Sequence, residues 1–262
     1  ARYIWSQSAE YAGASAKSLL RGLALRLYSP RFKQWDRKTA ANVTHFLANS
    51  RHTAGEIARC YRRESTVIHP PVRTGFFTPD PAALREPFWL IAGAIEPYKR
   101  TDLAIAAAQL AGVDLVIAGD GSQRRELERT APKHARFLGR VSDEELRRLY
   151  RTASLFLFPQ IEDFGITAVE AQSCGCPVLA RRAGGALDSV IDGKTGAFFD
   201  QPTPAAIAEA ARHLPRNCAE ACRANAERFS EAEHMLDAGS MYASVTTKVG
   251  VSIIALRKAT KL

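Results

Sequence analysis

Gln160-Ile161-Glu162-Asp163-Phe164-Gly165-Ile166-Thr167-Ala168-Val169-Glu170-Ala171 is the stretch from which the rest of the chain can be read. The apolar run before it, Ser154-Leu155-Phe156-Leu157-Phe158-Pro159, reads as a buried strand, and Thr167 onward reads as a helix. A strand, a glycine-bearing loop and a helix start make a natural anion site. The first amides of a helix lack intrahelical acceptors, and the helix dipole is positive at that end. Glu162 in the loop and Glu170 inside the helix flank the site with seven residues between them. Helical side chains lean toward the N-terminus, which brings Glu170 back toward the loop. Ionised carboxylates repel phosphate and only accept hydrogen bonds, so they suit pairs of hydroxyls. A diphosphate with a hydroxylated ring at each end, a nucleotide sugar, is the simplest ligand for this pattern.

At 262 residues the chain holds one large domain or two modest ones. Hydrophobic content of 46% and charged content of 24% belong to an ordinary soluble globular protein. A net charge of +9 suits phosphate ligands or an anionic surface and by itself selects neither. The five cysteines, Cys60, Cys174, Cys176, Cys218 and Cys222, sit in strand ends and helices with no histidine cluster nearby. They read as structural thiols of a reducing compartment rather than metal ligands. No run of roughly 18 apolar residues marks a transmembrane helix. The opening, Ala1-Arg2-Tyr3-Ile4-Trp5, has neither an initiator methionine nor a signal peptide, so a start within a longer protein is expected.

Residues 16–41 carry leucines interleaved with Lys17, Arg21, Arg26, Arg31 and Lys33. Pro30 is expected to interrupt this run, with a second helical pattern from Trp35. A pair of core-facing helices is the preferred reading, and a basic amphipathic face on anionic lipid the minority one. Strand 43–48, helix 53–62 and strand 65–69 predict a βαβ unit, closed by the linker His69-Pro70-Pro71-Val72. A second alternation follows. Strands are predicted at 87–92, 113–118, 135–138, 154–158, 177–180 and 196–199, with helices at 100–110, 123–130 and 143–150. Ser142-Asp143-Glu144-Glu145 is a capping box opening the last of these. Such alternation argues for a doubly wound parallel sheet with helices on both faces. Residues 203–229 read as helix broken at Pro215, and 241–262 show no period.

Ligands of such sheets sit beyond the carboxyl ends of the strands. Ile95-Glu96-Pro97-Tyr98-Lys99-Arg100 puts two cations at a helix start, where they oppose the dipole unless an anion is present. Gly119-Asp120-Gly121 and Gly139-Arg140-Val141 occupy equivalent loops, where a tight turn alone would also explain them. Asp163-Phe164-Gly165 is not a kinase motif, because no glycine-rich loop, His-Arg-Asp or Ala-Pro-Glu accompanies it. The chain also lacks an Asp-x-Asp pair, a Walker loop, a Gly-x-Ser-x-Gly elbow and a zinc-type His-Glu-x-x-His.

Taken together these motifs resemble the retaining GT-B glycosyltransferases of glycosyltransferase family 4. The resemblance is carried by Phe46-Leu47-Ala48-Asn49-Ser50, Val67-Ile68-His69-Pro70-Pro71-Val72, Pro97-Tyr98-Lys99-Arg100-Thr101-Asp102-Leu103-Ala104, Val116-Ile117-Ala118-Gly119-Asp120-Gly121, Phe137-Leu138-Gly139-Arg140-Val141 and the opening stretch. Pro97-Tyr98-Lys99-Arg100 and Trp35-Asp36 are most similar to GDP-mannose-dependent mannosyltransferases of polysaccharide assembly. The resemblance implies an α/β GT-B architecture of Rossmann-like doubly wound sheets, with a complete C-terminal donor domain and a truncated N-terminal acceptor domain. Residues 1–71 would close the acceptor domain, 72–230 would bind the nucleotide sugar, and 231–262 would form a C-terminal helix or tail. It implies transfer of a hexose with retention, with Lys99 and Glu162 as the catalytic candidates. Lys99 would hold the distal phosphate with Arg100 beside it. The amides of Phe164, Gly165, Ile166 and Thr167 would meet diphosphate and sugar, Glu162 the donor-sugar hydroxyls, and Glu170 the ribose diol. Gly139, Arg140 and Val141 would present backbone groups to the base, and Gly119 would allow close approach near the nucleotide.

The implied donor is GDP-mannose or another nucleotide sugar, with no cofactor and no metal, and the acceptor a saccharide or a polyprenyl-linked sugar. No nucleic acid is expected. The expected location is cytoplasmic, with a peripheral contact at the anionic cytoplasmic membrane face as the extension of that reading. Ala94 stands where many family members have an arginine, which leaves half of the usual phosphate clamp to Arg100 or another cation. Two further readings stay open. One is a truncated nucleotide-sugar-binding module without turnover, and the other a sugar-nucleotide epimerase on the same fold.

Overall fold

The computed structural model describes residues 16–249, and two parallel sheets organise them. Helix α1 (Ala16–Ala40) leads into the smaller sheet, where β1 (Phe46–Ala48) pairs with β2 (Ser65–Val67) across α2 (Arg51–Tyr61). The Ser50 hydroxyl caps α2 by accepting from the Thr53 amide at 3.0 Å. The predicted βαβ unit is present, with strands shorter than its apolar runs.

The larger sheet has six parallel strands: β3 (Glu86–Ala92), β4 (Asp114–Ala118), β5 (Ala135–Gly139), β6 (Ala153–Phe158), β7 (Val178–Arg181) and β8 (Gly196–Phe199). Their order is β5-β4-β3-β6-β7-β8. Between and after them come α3 (Thr101–Ala111), α4 (Arg124–Thr130), α5 (Asp143–Thr152), α6 (Ile166–Ser173), α7 (Ala186–Ser189), α8 (Pro204–Arg212), α9 (Ala219–Glu227) and α10 (Glu231–Val249).

Strand side chains alternate faces, and both faces here are covered, so the strands read as continuous apolar runs. Phe88, Leu90, Val116, Phe156, Phe158 and Val178 enter one core with Tyr150, Ala168 and Ala171. Trp89, Ile91, Leu115, Ile117, Leu155 and Leu157 enter the other with Leu103, Ile105 and Ile207. A third cluster of Val72, Phe164, Val169, Ala226 and Phe229 fastens the inter-sheet linker to α6 and α9. From β3 the chain winds outward to β5, then returns to β6 on the other side of β3. That reversal opens a crevice beyond the carboxyl ends of β3 and β6.

Several expectations need correction. Pro30 lies inside α1, which runs unbroken from Ala16 to Ala40 and replaces the predicted pair of helices. Proline's fixed φ is compatible with a helix, and it removes only one backbone bond, so the ten residues after it continue. Nor is the second half of α1 core-facing: Tyr28 is 66% and Trp35 57% exposed. Its inner edge rests on α2, where Tyr61 donates to Asp36 at 2.8 Å and Arg37 to the Cys60 carbonyl at 3.0 Å. The four-residue α7 was not anticipated, and the stretch from 241 continues α10 as far as Val249. The predicted tail beyond that, 250–262, and the start of the expected first domain, 1–15, lie outside the described residues. The capping box of α5 is half formed. Ser142 accepts from the Glu145 amide at 3.2 Å, while the Glu145 carboxylate turns to Arg148 at 2.6 and 2.8 Å.

Among the described residues no helix is long and apolar enough to cross a membrane. The five cysteines are free and buried. Cys222 donates to the Cys218 sulfur at 3.8 Å, and that bond draws the Cys218 thiol pKa below its ordinary value, while burial holds the pKa of Cys174 and Cys176 up at about 12. Among the described residues no group of three or more His, Cys, Asp or Glu side chains is placed to hold a metal.

Candidate functional site

The crevice at the reversal is lined by the loops after β3, β4, β5 and β6. After β3 the chain makes a short 3-10 turn, Pro97–Lys99, and Arg100 then caps α3 with left-handed backbone, φ 55°. Lys99 is thereby aimed back across the strand ends, with its ammonium 5.3 Å from the Tyr98 ring centroid. Its partner is Glu162, from the loop after β6; Lys99 Nζ donates to Glu162 Oε1, and each side chain is only 19% exposed. Two residues singled out separately in the sequence, 63 positions apart, therefore form one ion pair over the crevice. A cavity of about 20 Å³ beneath them is lined by Gly93, Ala94, Lys99, Pro159 and the buried Gln160, among others. Arg100 is not part of the pair and lies along Asp102 at 3.1 and 3.2 Å.

Gly165 starts α6 with φ 93° and ψ 62°, and no side chain caps the helix. A Cβ at this position would stand 2.7 Å from Phe158 Cζ as well as forcing the left-handed backbone. Glycine therefore lets the loop fold tightly over the end of β6 and itself offers no side chain to the leading amides of α6. Ile166 beside them is 43% exposed, whereas Phe164 is buried against Phe229 and Val169. Glu170 lies deeper, 8% exposed, and accepts from the Tyr150 hydroxyl at 3.4 Å. Burial raises its pKa, and the Arg73 charge and the Tyr150 bond only partly offset this.

The loop glycines Gly119 and Gly139 are built into the packing between neighbouring loops. A Cβ on Gly119 would fall 1.8 Å from the Gly93 carbonyl oxygen, so this glycine lets the β3 and β4 loops pack together. Gly139 has φ 72°, and its carbonyl accepts from the Gly119 amide at 2.7 Å. Val141 packs against the core and Arg140 is exposed. Glu96 accepts from the Ser122 amide at 2.9 Å and its hydroxyl at 2.6 Å. The protein's own carboxylate thus already fills the loop before α4. Nothing in the local sequence around Glu96 marked it for this task. Tyr150 and Gln160 were also missed, since one reads as a core aromatic and the other as a loop polar residue.

The glycosyl transferases group 1 family model matches residues 72–230. D-inositol 3-phosphate glycosyltransferase from Mycobacterium tuberculosis is 36% identical over 174 residues, which are 58% of this chain and 36% of that protein. The chain thus spans about a third of the length of the curated relatives it matches. Among solved structures, sucrose-phosphate synthase from Thermosynechococcus elongatus superposes with a TM-score of 0.73 at 21% identity, over 92% of this chain and 66% of that one. Anabaena Alr3699/HepE in complex with UDP and glucose gives 0.68 at 18%, over 88% and 76%. These two likenesses establish the GT-B fold, and the family model covers more than half of the sequence. The chain belongs to the glycosyl transferases group 1 family.

Proposed function

We propose that this chain binds a nucleoside-diphosphate hexose in the crevice between β3 and β6 and supplies the donor side of a retaining hexosyl transfer. The observation that carries the reading is the Lys99–Glu162 pair beside the Gly165 turn that starts α6. An entering diphosphate would take Lys99 and the leading amides of α6, and the hexose hydroxyls would take Glu162. Glu170 would accept from the ribose diol. As the glycosidic bond breaks, negative charge builds on the departing diphosphate. Lys99 and the α6 amides would meet that charge, and one well-placed donor of this kind lowers a barrier by roughly 3–4 kcal/mol.

Within this reading residues 72–230 form the donor domain, and residues 1–71 and 231–262 belong to the acceptor side. Mannose from GDP is the donor that Pro97-Tyr98-Lys99-Arg100 favours, with Arg100 or a further cation standing in for the arginine replaced by Ala94. The UDP held by Anabaena Alr3699/HepE supports a uridine donor as the second reading. The acceptor is a saccharide or polyprenyl-linked sugar, met at the cytoplasmic membrane face. Exposed Tyr28 and Trp35 beside Arg31 and Lys38 on α1 support that last element.

Calorimetric titration of the chain with GDP, UDP, GDP-mannose and UDP-glucose tests the donor class, followed by donor hydrolysis and transfer assays. Binding of a nucleotide sugar more tightly than of its free sugar or its base is the expected result. Affinity for uridine donors alone overturns the GDP assignment, and affinity for neither overturns the donor site.

A further inference from the structure

Asp188 lies outside every motif that marks the crevice, yet it is the most buried carboxylate in an ion pair among the described residues, with a side chain 2% exposed. Its partners come from the other sheet. Asp188 Oδ2 accepts from the Arg51 amide, the first residue of α2, at 2.7 Å, and Oδ1 accepts from Arg51 Nε at 2.8 Å. His69 Nε2, on the linker between the sheets, lies 3.1 Å from Oδ2. A carboxylate from the donor half therefore sits at the positive end of a helix from the other half. The Arg51 guanidinium is 73% exposed and its charge is screened by water, so its amide and His69 carry most of the attachment. Burial opposes ionisation of Asp188, but the Arg51 and His69 bonds outweigh it and hold the carboxyl below the usual range.

Two routes lead from Asp188 to the loop that holds Glu162. Along the backbone, the Asp188 amide donates to the Gly185 carbonyl at 3.0 Å, and the Gly185 amide donates to the Glu162 carbonyl at 2.8 Å. A Cβ on Gly185 would lie 2.2 Å from Phe164 Cα, so the two loops are in backbone contact. Through side chains, the His69 ring packs on Phe164 at 5.4 Å and edge-on to Phe229 at 5.1 Å. The far side of the α7 segment is pinned as well: the Ser189 carbonyl accepts from Gln172 on α6 and from Asn225 on α9, both at 2.8 Å. Anything that shifts α2 or the linker pulls on a rigid piece whose other side is the Glu162–Gly165 loop.

We infer that Asp188 and His69 are positioning residues that couple the seating of the β1-α2-β2 unit to the shape of the Glu162–Gly165 loop. The coupling is a property of the fold; its effect on donor binding rests on the function proposed above.

Amide hydrogen exchange read by mass spectrometry on the whole chain tests it, alongside titration with GDP and UDP. In Asp188→Ala, exchange is expected to quicken about tenfold or more both in 46–69 and in 161–167, with nucleotide affinity falling about three- to tenfold. Asp188→Asn keeps an acceptor for the Arg51 amide and should recover part of both effects. His69→Phe keeps the ring on Phe164 and should leave 161–167 protected, whereas His69→Gln should open it. Faster exchange confined to 46–69, with loop protection and nucleotide affinity as in the parent chain, reduces Asp188 to a seam and overturns the inference. If the parent chain binds neither nucleotide while both segments still open together, the coupling stands and the donor reading fails. Should Asp188→Ala not fold, the Asn and His69 variants decide the matter in the same way.

Discussion

Glu162→Gln should make the chain bind a free nucleoside diphosphate more tightly, although it removes a residue placed in the binding machinery. Without a ligand, Lys99 is neutralised by the Glu162 carboxylate, and both side chains are four-fifths buried. A diphosphate that takes Lys99 must separate this pair and leave Glu162 shielded from water with no cation. In the proposed site a nucleotide sugar would avoid that cost, because its hexose hydroxyls would satisfy the carboxylate. Two unit charges about 4 Å apart interact by roughly 4 kcal/mol at an effective dielectric near 20, and residual solvent access reduces this. A charge-assisted hydrogen bond of this kind is worth about 1.5–3 kcal/mol net, which corresponds to roughly 10- to 150-fold in affinity. Titration of GDP and UDP into both proteins at one fixed ionic strength measures it, since salt screens the pair. The preference for nucleotide sugar over free diphosphate should narrow or invert in the variant. If Glu162→Gln binds the free diphosphates no more tightly than the parent while its thermal unfolding is unchanged, the ion pair does not gate the site.

Three further outcomes follow from the same geometry. Lys99→Ala should weaken diphosphate binding by about 10- to 100-fold and flatten its salt dependence, both read in the same titrations. Glu170 has its pKa raised by burial, so folded chain loses stability as pH rises from the unfolded-state value of about 4.3 through the higher folded-state value, and then levels off. Glu170→Gln should therefore raise Tm at neutral pH while weakening nucleotide binding, and parent affinity should climb as pH rises through the same window; calorimetry and titration across pH 4–8 check both. Gly165→Ala should cost about 1–3 kcal/mol through its φ of 93° and its collision with Phe158, and should abolish nucleotide binding in the protein that remains folded.

Much of the larger sheet was legible because strands buried on both faces leave uninterrupted apolar runs, as in Leu155-Phe156-Leu157-Phe158, and each run is followed by helix-start residues. Pro30 misled because a single lost backbone bond does not end a helix whose flanks favour continuing. The α7 segment escaped notice because four residues show no period. Half of the capping box failed because Glu145 had a nearer cation in Arg148. For the site, residue types and spacing located Lys99, Glu162, Glu170 and the Gly165 turn, but not their relations. The Lys99–Glu162 contact spans 63 residues, and the Tyr150 hydroxyl reaches Glu170 from another helix. Asp188 was hidden in Ala183-Gly184-Gly185-Ala186-Leu187-Asp188, where one acid in a short apolar segment signals nothing until Arg51 and His69 are seen against it.

Lys99 lies in the loop after β3, from which the chain departs in one direction, and Glu162 in the loop after β6, from which it departs in the other. Everything from residue 100 to residue 152 is a detour between two neighbouring strands, pinned at both ends. Core residues such as Leu115, Ile117 and Tyr150 tie its strands and helices into the sheet, so its exposed turns are where chain length can change while the two charges stay face to face. The loops at 119–121 and 139–141 lie inside it, and Gly119 packs on Gly93 in the loop that leads to Lys99, so a side chain at that glycine would reach the pair through the backbone. The two ends of the ion pair are thus the two ends of one continuous stretch of chain, and the packing of that stretch against β3 holds both in register.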